Sequence, residues 1–193
     1  MNWAKLALAI AALSSAIPAV AQTGLAGPDF FRALREGDNG KAVGLLNSTP
    51  TLLNTRDVTG ETALLITVAQ RDDVWVGYLL SKGADPNLGD RKGDTPLIAA
   101  SRIGFLDAIE AMVERKAKVN TANRMGETAL IVAVQHRQVP VIRYLLDHGA
   151  DPDKRDNAQG YSARDYAKRD NRNPELLRLI EAKKPSQAAA PKS

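Results

Sequence analysis

Cysteine is missing from all 193 residues. Its absence excludes disulfides, a thiol nucleophile, a cysteine zinc knuckle and lipid attachment to a cysteine behind a leader, so stability must come from burial and local geometry. Aromatic residues make up only 5% of the chain. That scarcity disfavours sandwiches and barrels, whose strands are rich in aromatic side chains, whereas the abundance of Ala, Leu and Ile favours packed helices. Charge of either sign is not in large excess, with 26 Lys and Arg against 22 Asp and Glu. A net charge of +4 spread along the chain lacks the concentrated basic face that nucleic-acid binding requires.

Catalytic signatures are missing as well. The chain has no G-x-S-x-G elbow, no G-x-x-x-x-G-K-[ST] phosphate loop and no H-E-x-x-H pair. Only two histidines occur. His136 and His148 end different helices of one unit, and zinc takes three or four protein ligands, so neither metal nor cofactor is expected. Asp72-Asp73 reads as a helix cap, with Asp73 at the N-cap, rather than as an acid–base pair. The Asp-rich tracts ADPNLGD and ADPDKRD lack the spaced ligands of a calcium loop. Asn47-Ser48-Thr49 is a glycosylation sequon, read as chance in a bacterial host.

No apolar run is long enough to cross a bilayer, which takes roughly 20 residues. The longest is Leu6 to Ile17, broken by Ser14 and Ser15. Lys5 precedes it, and Pro18 and Ala19-Val20-Ala21 follow, the pattern of a secretory leader with its small-residue cleavage site. The segment 1–21 is therefore read as a signal peptide cut between Ala21 and Gln22, with a retained anchor as the alternative. Taking 21 from 193 leaves 172 residues, a size suited to one domain.

What the chain does have is a period. Gly60, Gly93 and Gly126 are 33 residues apart, and Gly160 follows 34 later. Behind them come ETALLITVAQ, DTPLIAASRI, ETALIVAVQH and, more loosely, YSARDYAKRD. Thr62, Thr95 and Thr128 stand where a short helix begins, and Pro96 suits a first turn. Second helices follow as VWVGYLLSK and VPVIRYLLDH, apolar at three- and four-residue spacings. Gly83 and Gly149 supply left-handed helix ends, and Lys116 occupies the same place in the third unit. Tracts such as ADPNLGDRKG read as projecting turns.

A period of 33 with Thr95-Pro96-Leu97 near its start and Gly83-Ala84-Asp85-Pro86-Asn87 near its end resembles the ankyrin repeat. Leu65, Ile98 and Ile131 depart from the family by filling the slot of its usual histidine. The resemblance implies an all-α fold: an ankyrin-repeat solenoid of helix–turn–helix units joined by projecting β-turn or hairpin loops. Its expected limits are a short linker at 22–27 and a repeat domain at 28–184, with a disordered tail at 185–193. The units are an N-terminal cap at 28–56, repeats at 57–89, 90–122 and 123–155, and a C-terminal cap at 156–184. Arg32, Arg35, Glu36 and Asp38 are expected to give the first cap a polar outer side.

The resemblance further implies a protein partner docked on the concave face formed by the turns and first helices. The positions that carry over include Arg91, Lys92, Arg102, Ile103, Arg124, Met125, His136 and Tyr161. Arg91, Lys92, Arg102 and Arg124 cluster in the middle units, with Ile103 and Met125 as apolar anchors. The expected protein is a monomeric, exported, non-enzymatic interaction scaffold, periplasmic or else extracellular. It is free of the membrane after leader removal and directed at a partner with an acidic surface. Two other readings fit the same residues: a secreted effector or toxin-neutralising immunity-type protein, and an enzyme with an unrecognised site.

Overall fold

Each repeat helix begins at a hydroxyl. The side-chain oxygens of Thr62, Thr95 and Thr128 accept the backbone N–H of Leu65, Ile98 and Ile131 at 3.2, 3.3 and 3.3 Å. Each bond satisfies one of the donors left open in a first turn. Ser162 does the same in a capping box closed by Asp165. In the computed structural model, which describes residues 19–170 and 172–182, these caps open the first helix of four successive units. The apolar run of the leader and the 185–193 tail lie outside the described residues.

The helices are α1 (Ala19–Glu36), α2 (Asn39–Ser48), α3 (Ala63–Ala69), α4 (Asp73–Ser81), α5 (Pro96–Ile103), α6 (Leu106–Glu114), α7 (Ala129–Gln135), α8 (Val139–Asp147), α9 (Ala163–Arg169) and α10 (Pro174–Ala182), with a 3₁₀ turn at Pro50–Asn54. Among the described residues extended pairing is limited to two isolated bridges, Ala122 with Thr128 and Arg155 with Ser162. Helices of seven to ten residues are marginal alone. They are stable here because α1, α3, α5, α7 and α9 pack in one row while α4, α6, α8 and α10 pack in a second. Leu79, Met112 and Leu145, one period apart, are fully buried between them. Leu65, Ile98 and Ile131 are buried too, so the histidine slot is filled by core.

Polar side chains stitch neighbouring units at the same period. Asn54, Asn87 and Asn120 accept the backbone N–H of Asp85, Lys118 and Asp151 at 2.8, 2.7 and 2.8 Å. Lys116 has φ 66°, the left-handed conformation that its alignment with Gly83 and Gly149 implies. Arg71 and Arg137 are also left-handed, at φ 58° and 54°. Both reach the next unit: Arg71 donates to the Ile103 carbonyl at 2.7 Å, and Arg137 to Asp170 at 2.6 Å.

Two details differ from the sequence reading. Residues 22–27, expected as a linker, lie inside α1, which carries Pro28 in its interior. Asp72 rather than Asp73 caps α4, its carboxylate accepting the Trp75 N–H at 2.9 Å; Asp73 is the first helical residue. Arg32, Arg35, Glu36 and Asp38 are all exposed on the first cap, and Arg35 also pairs with Asp57 and Glu61 in the first projecting loop.

Candidate functional site

The projecting loops are built by one residue each. Asp57, Asp90, Asn123 and Asp156 stand 33 apart, and a single side-chain oxygen of each accepts backbone N–H groups further round its own loop. Asp57 takes those of Thr59 and Glu61 at 2.9 and 2.8 Å, and Asp90 those of Lys92 and Asp94 at 2.8 and 2.9 Å. Asn123 takes those of Met125 and Glu127, both at 2.9 Å. These residues were visible as the first of each repeat, yet their role was not inferred. Burial pushes the Asp57 carboxyl up, but hydrogen bonds from Thr59, Arg35 and the Glu61 N–H outweigh it and hold the group at about 2. In the third loop the organiser is an amide, and its Nδ2 donates to Asp94 and Glu127 at 2.7 and 2.9 Å.

Adjacent loops are joined tip to tip. The Arg124 N–H donates to the Lys92 carbonyl at 2.9 Å and the Asn157 N–H to the Met125 carbonyl at 2.7 Å. Between the first two loops a side chain makes the link, Arg91 donating to the Val58 carbonyl at 2.7 Å. The close approach requires glycine at Gly126, where φ is 77° and a Cβ would sit 2.6 Å from the Asn157 nitrogen. Gly160 closes the last loop, and its Cβ would meet nothing within 4 Å.

The loops fold over the first-helix row. Arg102, in the last turn of α5, pairs with Asp94 at 2.9 Å. Arg169, ending α9, lies 4.0 Å over the Tyr161 ring. Loops and first helices thus share one side of the stack.

On that side a cleft of about 610 Å³ opens between the second and third loops, lined by Arg91, Lys92, Arg102, Arg124 and Met125 together with Asp94, Asn123 and Glu127. Five of the eight residues picked from the sequence therefore meet in one place. The other three do not join them. Ile103 is half-buried against the core, and its carbonyl holds Arg71. His136 is exposed where it caps the end of α7. Tyr161 is half-buried between Arg169 and the edge of Tyr166.

Two other hollows differ in character. One of about 660 Å³ lies at the N-terminal end of the stack, where Phe31 and Leu52 form an apolar floor. Another of about 410 Å³ lies beside Tyr166 and Arg169. His148 is held by its own helix, with Nδ1 2.8 Å from the Tyr144 carbonyl and the ring stacked on Tyr144. Among the described residues no cluster of three or more His, Asp or Glu could hold a metal, and no helix is long and apolar enough to cross a membrane.

Comparison with known proteins agrees with this architecture. The family model for ankyrin repeats (three copies) matches residues 30–123 and 64–156. An ankyrin repeat-containing protein of Treponema pallidum is 32% identical over 126 residues, covering 65% of this chain and 42% of that one. The mitochondrial disaggregase of Bos taurus is 35% identical over 151 residues, 76% of this chain and 22% of its own. Alpha-latrocrustotoxin-Lt1a of Latrodectus tredecimguttatus is 35% identical over 108 residues, 55% and 8%. The chain spans less than half the length of each of these relatives. With the family model matched across both rows of helices and the loops between them, this chain belongs to the ankyrin repeat family, whose repeats mediate contact between proteins.

Proposed function

We propose that the protein is a non-enzymatic scaffold that binds a partner protein through the loop-and-first-helix side of its stack, after export to the periplasm. One observation carries the reading: Arg91, Lys92, Arg102, Arg124 and Met125, separated by up to a full repeat in sequence, line a single cleft on that side. Packing does not require this grouping, since Met125 is 53% exposed and the side chains of Lys92 and Arg124 make no ion pair among the described residues. The leader pattern at 1–21 supports export and rests on sequence alone.

Two measurements test this. The C-terminally tagged chain, expressed in an exporting Gram-negative host, is expected in the periplasmic fraction with an intact mass that begins at Gln22. Retention in the cytoplasm at full mass refutes export, and recovery from the medium favours the effector reading. The immobilised protein is then expected to capture a specific protein from periplasmic extract that the Lys92→Glu/Arg124→Glu variant does not. Equal capture by both moves the interface off this cleft.

A further inference from the structure

The row of loop tips has an order that the cleft alone does not reveal. Positions one period apart run Val58, Arg91, Arg124 and Asn157 along one line, and Thr59, Lys92, Met125 and Ala158 along the next. Along these two lines cations occur only in the middle two loops. They are flanked on one side by Val58, 82% exposed, and on the other by Met125, 53% exposed. The acidic groups of the cleft are already engaged: Asp94 holds Arg102 and Asn123, and Glu127 holds Asn123. Arg91 is committed to the Val58 carbonyl. Among the described residues no carboxylate pairs with Lys92 or Arg124 at the tips, so the cleft carries four cations against Asp94 and Glu127, an excess of two.

Resting on the protein-binding reading above, we propose that this row recognises a short extended peptide segment with acidic residues at its centre and an apolar residue at each end. Its carboxylates meet Lys92 and Arg124, and its apolar ends meet Val58 and Met125. The length follows from the stack. Packed helices lie 8–10 Å apart, so the two repeat steps from Val58 to Met125 span roughly 20 Å, which about six extended residues cover. An isolated excess of two charges suits one or two carboxylates. A nucleic-acid strand would need cations to continue along its path, and the row is uncharged at Thr59, Asn157 and Ala158. Exposed aliphatic side chains beside solvent-exposed charges are an arrangement that favours discrimination between partners more than raw affinity.

The test uses the exported full chain and the fluorescein-labelled peptide Leu-Ser-Glu-Glu-Ser-Leu, read by fluorescence anisotropy. Binding is expected to weaken at least tenfold in Lys92→Glu/Arg124→Glu and severalfold between 50 and 300 mM salt, because screening acts on exposed charges. Val58→Ser and Met125→Ser are each expected to weaken it severalfold. Arg91 is left intact, since its bond to Val58 holds two loops together, and circular dichroism confirms that every variant is folded. Equal affinity for a peptide with Gln in place of Glu would overturn the proposal. So would unchanged binding by the double variant, or tighter binding of a single-stranded oligonucleotide. Absence of peptide binding up to millimolar concentration would overturn it as well. In that case, specific capture of a periplasmic protein would leave the broader protein-binding reading standing, so the two failures are distinct.

Discussion

Replacing Gly126 by alanine is expected to cost far more than the same change at Gly160, although both are left-handed and both close a loop. Alanine at positive φ is disfavoured by roughly 1–2 kcal/mol, partly offset by about 0.4–1 kcal/mol from the lower entropy of the unfolded chain. At Gly160, with φ 70° and open space around the added Cβ, that is the whole effect, about 0.5–1 kcal/mol. At Gly126 the Cβ would lie 2.6 Å from the Asn157 backbone nitrogen and 2.8 Å from its Cγ. Backbone cannot rotate away as a side chain would, so the fourth loop must move. Its movement stretches the 2.7 Å bond from the Asn157 N–H to the Met125 carbonyl, a loss of about 1 kcal/mol. The expected difference between the variants is therefore about 1 kcal/mol. Urea unfolding with a slope of roughly 2 kcal/mol/M would show it as midpoints about 0.5 M apart. Equal midpoints would refute the claim that the loops are held by tip-to-tip approach, and a larger loss at Gly160 would reverse it.

Other perturbations have defined outcomes. Lys116→Gly is expected to raise the melting midpoint slightly, by up to about 1 kcal/mol of relieved strain, whereas Arg137→Gly is expected to lower it, because the left-handed Arg137 also holds Asp170; a thermal melt of each checks the pair. The depressed Asp57 carboxyl stabilises the fold fully above its unfolded value near 4 and loses that contribution as pH falls through about 2. By linkage this amounts to about 2 kcal/mol, so Asp57→Asn should flatten the acid limb of stability between those values, as read by urea melts at stepped pH. Asn123→Asp is expected to destabilise by about 1–3 kcal/mol, since the new carboxylate would face Asp94 and Glu127 where the amide now donates to both. The same urea series measures it, and a stabilised variant would contradict the role assigned to Asn123.

The repeat was legible because its signals sit on the backbone's own demands. Thr62, Thr95 and Thr128 cap, Pro96 starts a helix and Lys116 stands where Gly83 and Gly149 do, so a shared period revealed each from its neighbours. Contacts between units were harder to read. Arg91 meeting Val58, or Arg71 reaching the Ile103 carbonyl, depends on two positions about 33 apart becoming adjacent in space. Aligning the repeats brings such pairs side by side without saying which side chain crosses. The family's first-helix position marks Ile103 as an apolar anchor, but it packs half-buried against the core. Asp72 and Asp73 were separable only by geometry, since either could open α4. The family pattern carried onto Arg91, Lys92, Asp94, Arg102, Arg124, Met125 and Glu127 points to the cleft, and the structure adds Asn123 to its lining.

The central claim, docking on the loop-and-first-helix side, is tested most directly by amide hydrogen exchange on the complex with the captured partner. The account predicts slowed exchange at residues 57–61, 90–94 and 123–127, with α4, α6 and α8 unchanged. Slowed exchange on α4, α6 and α8 with the loops unaffected would contradict it.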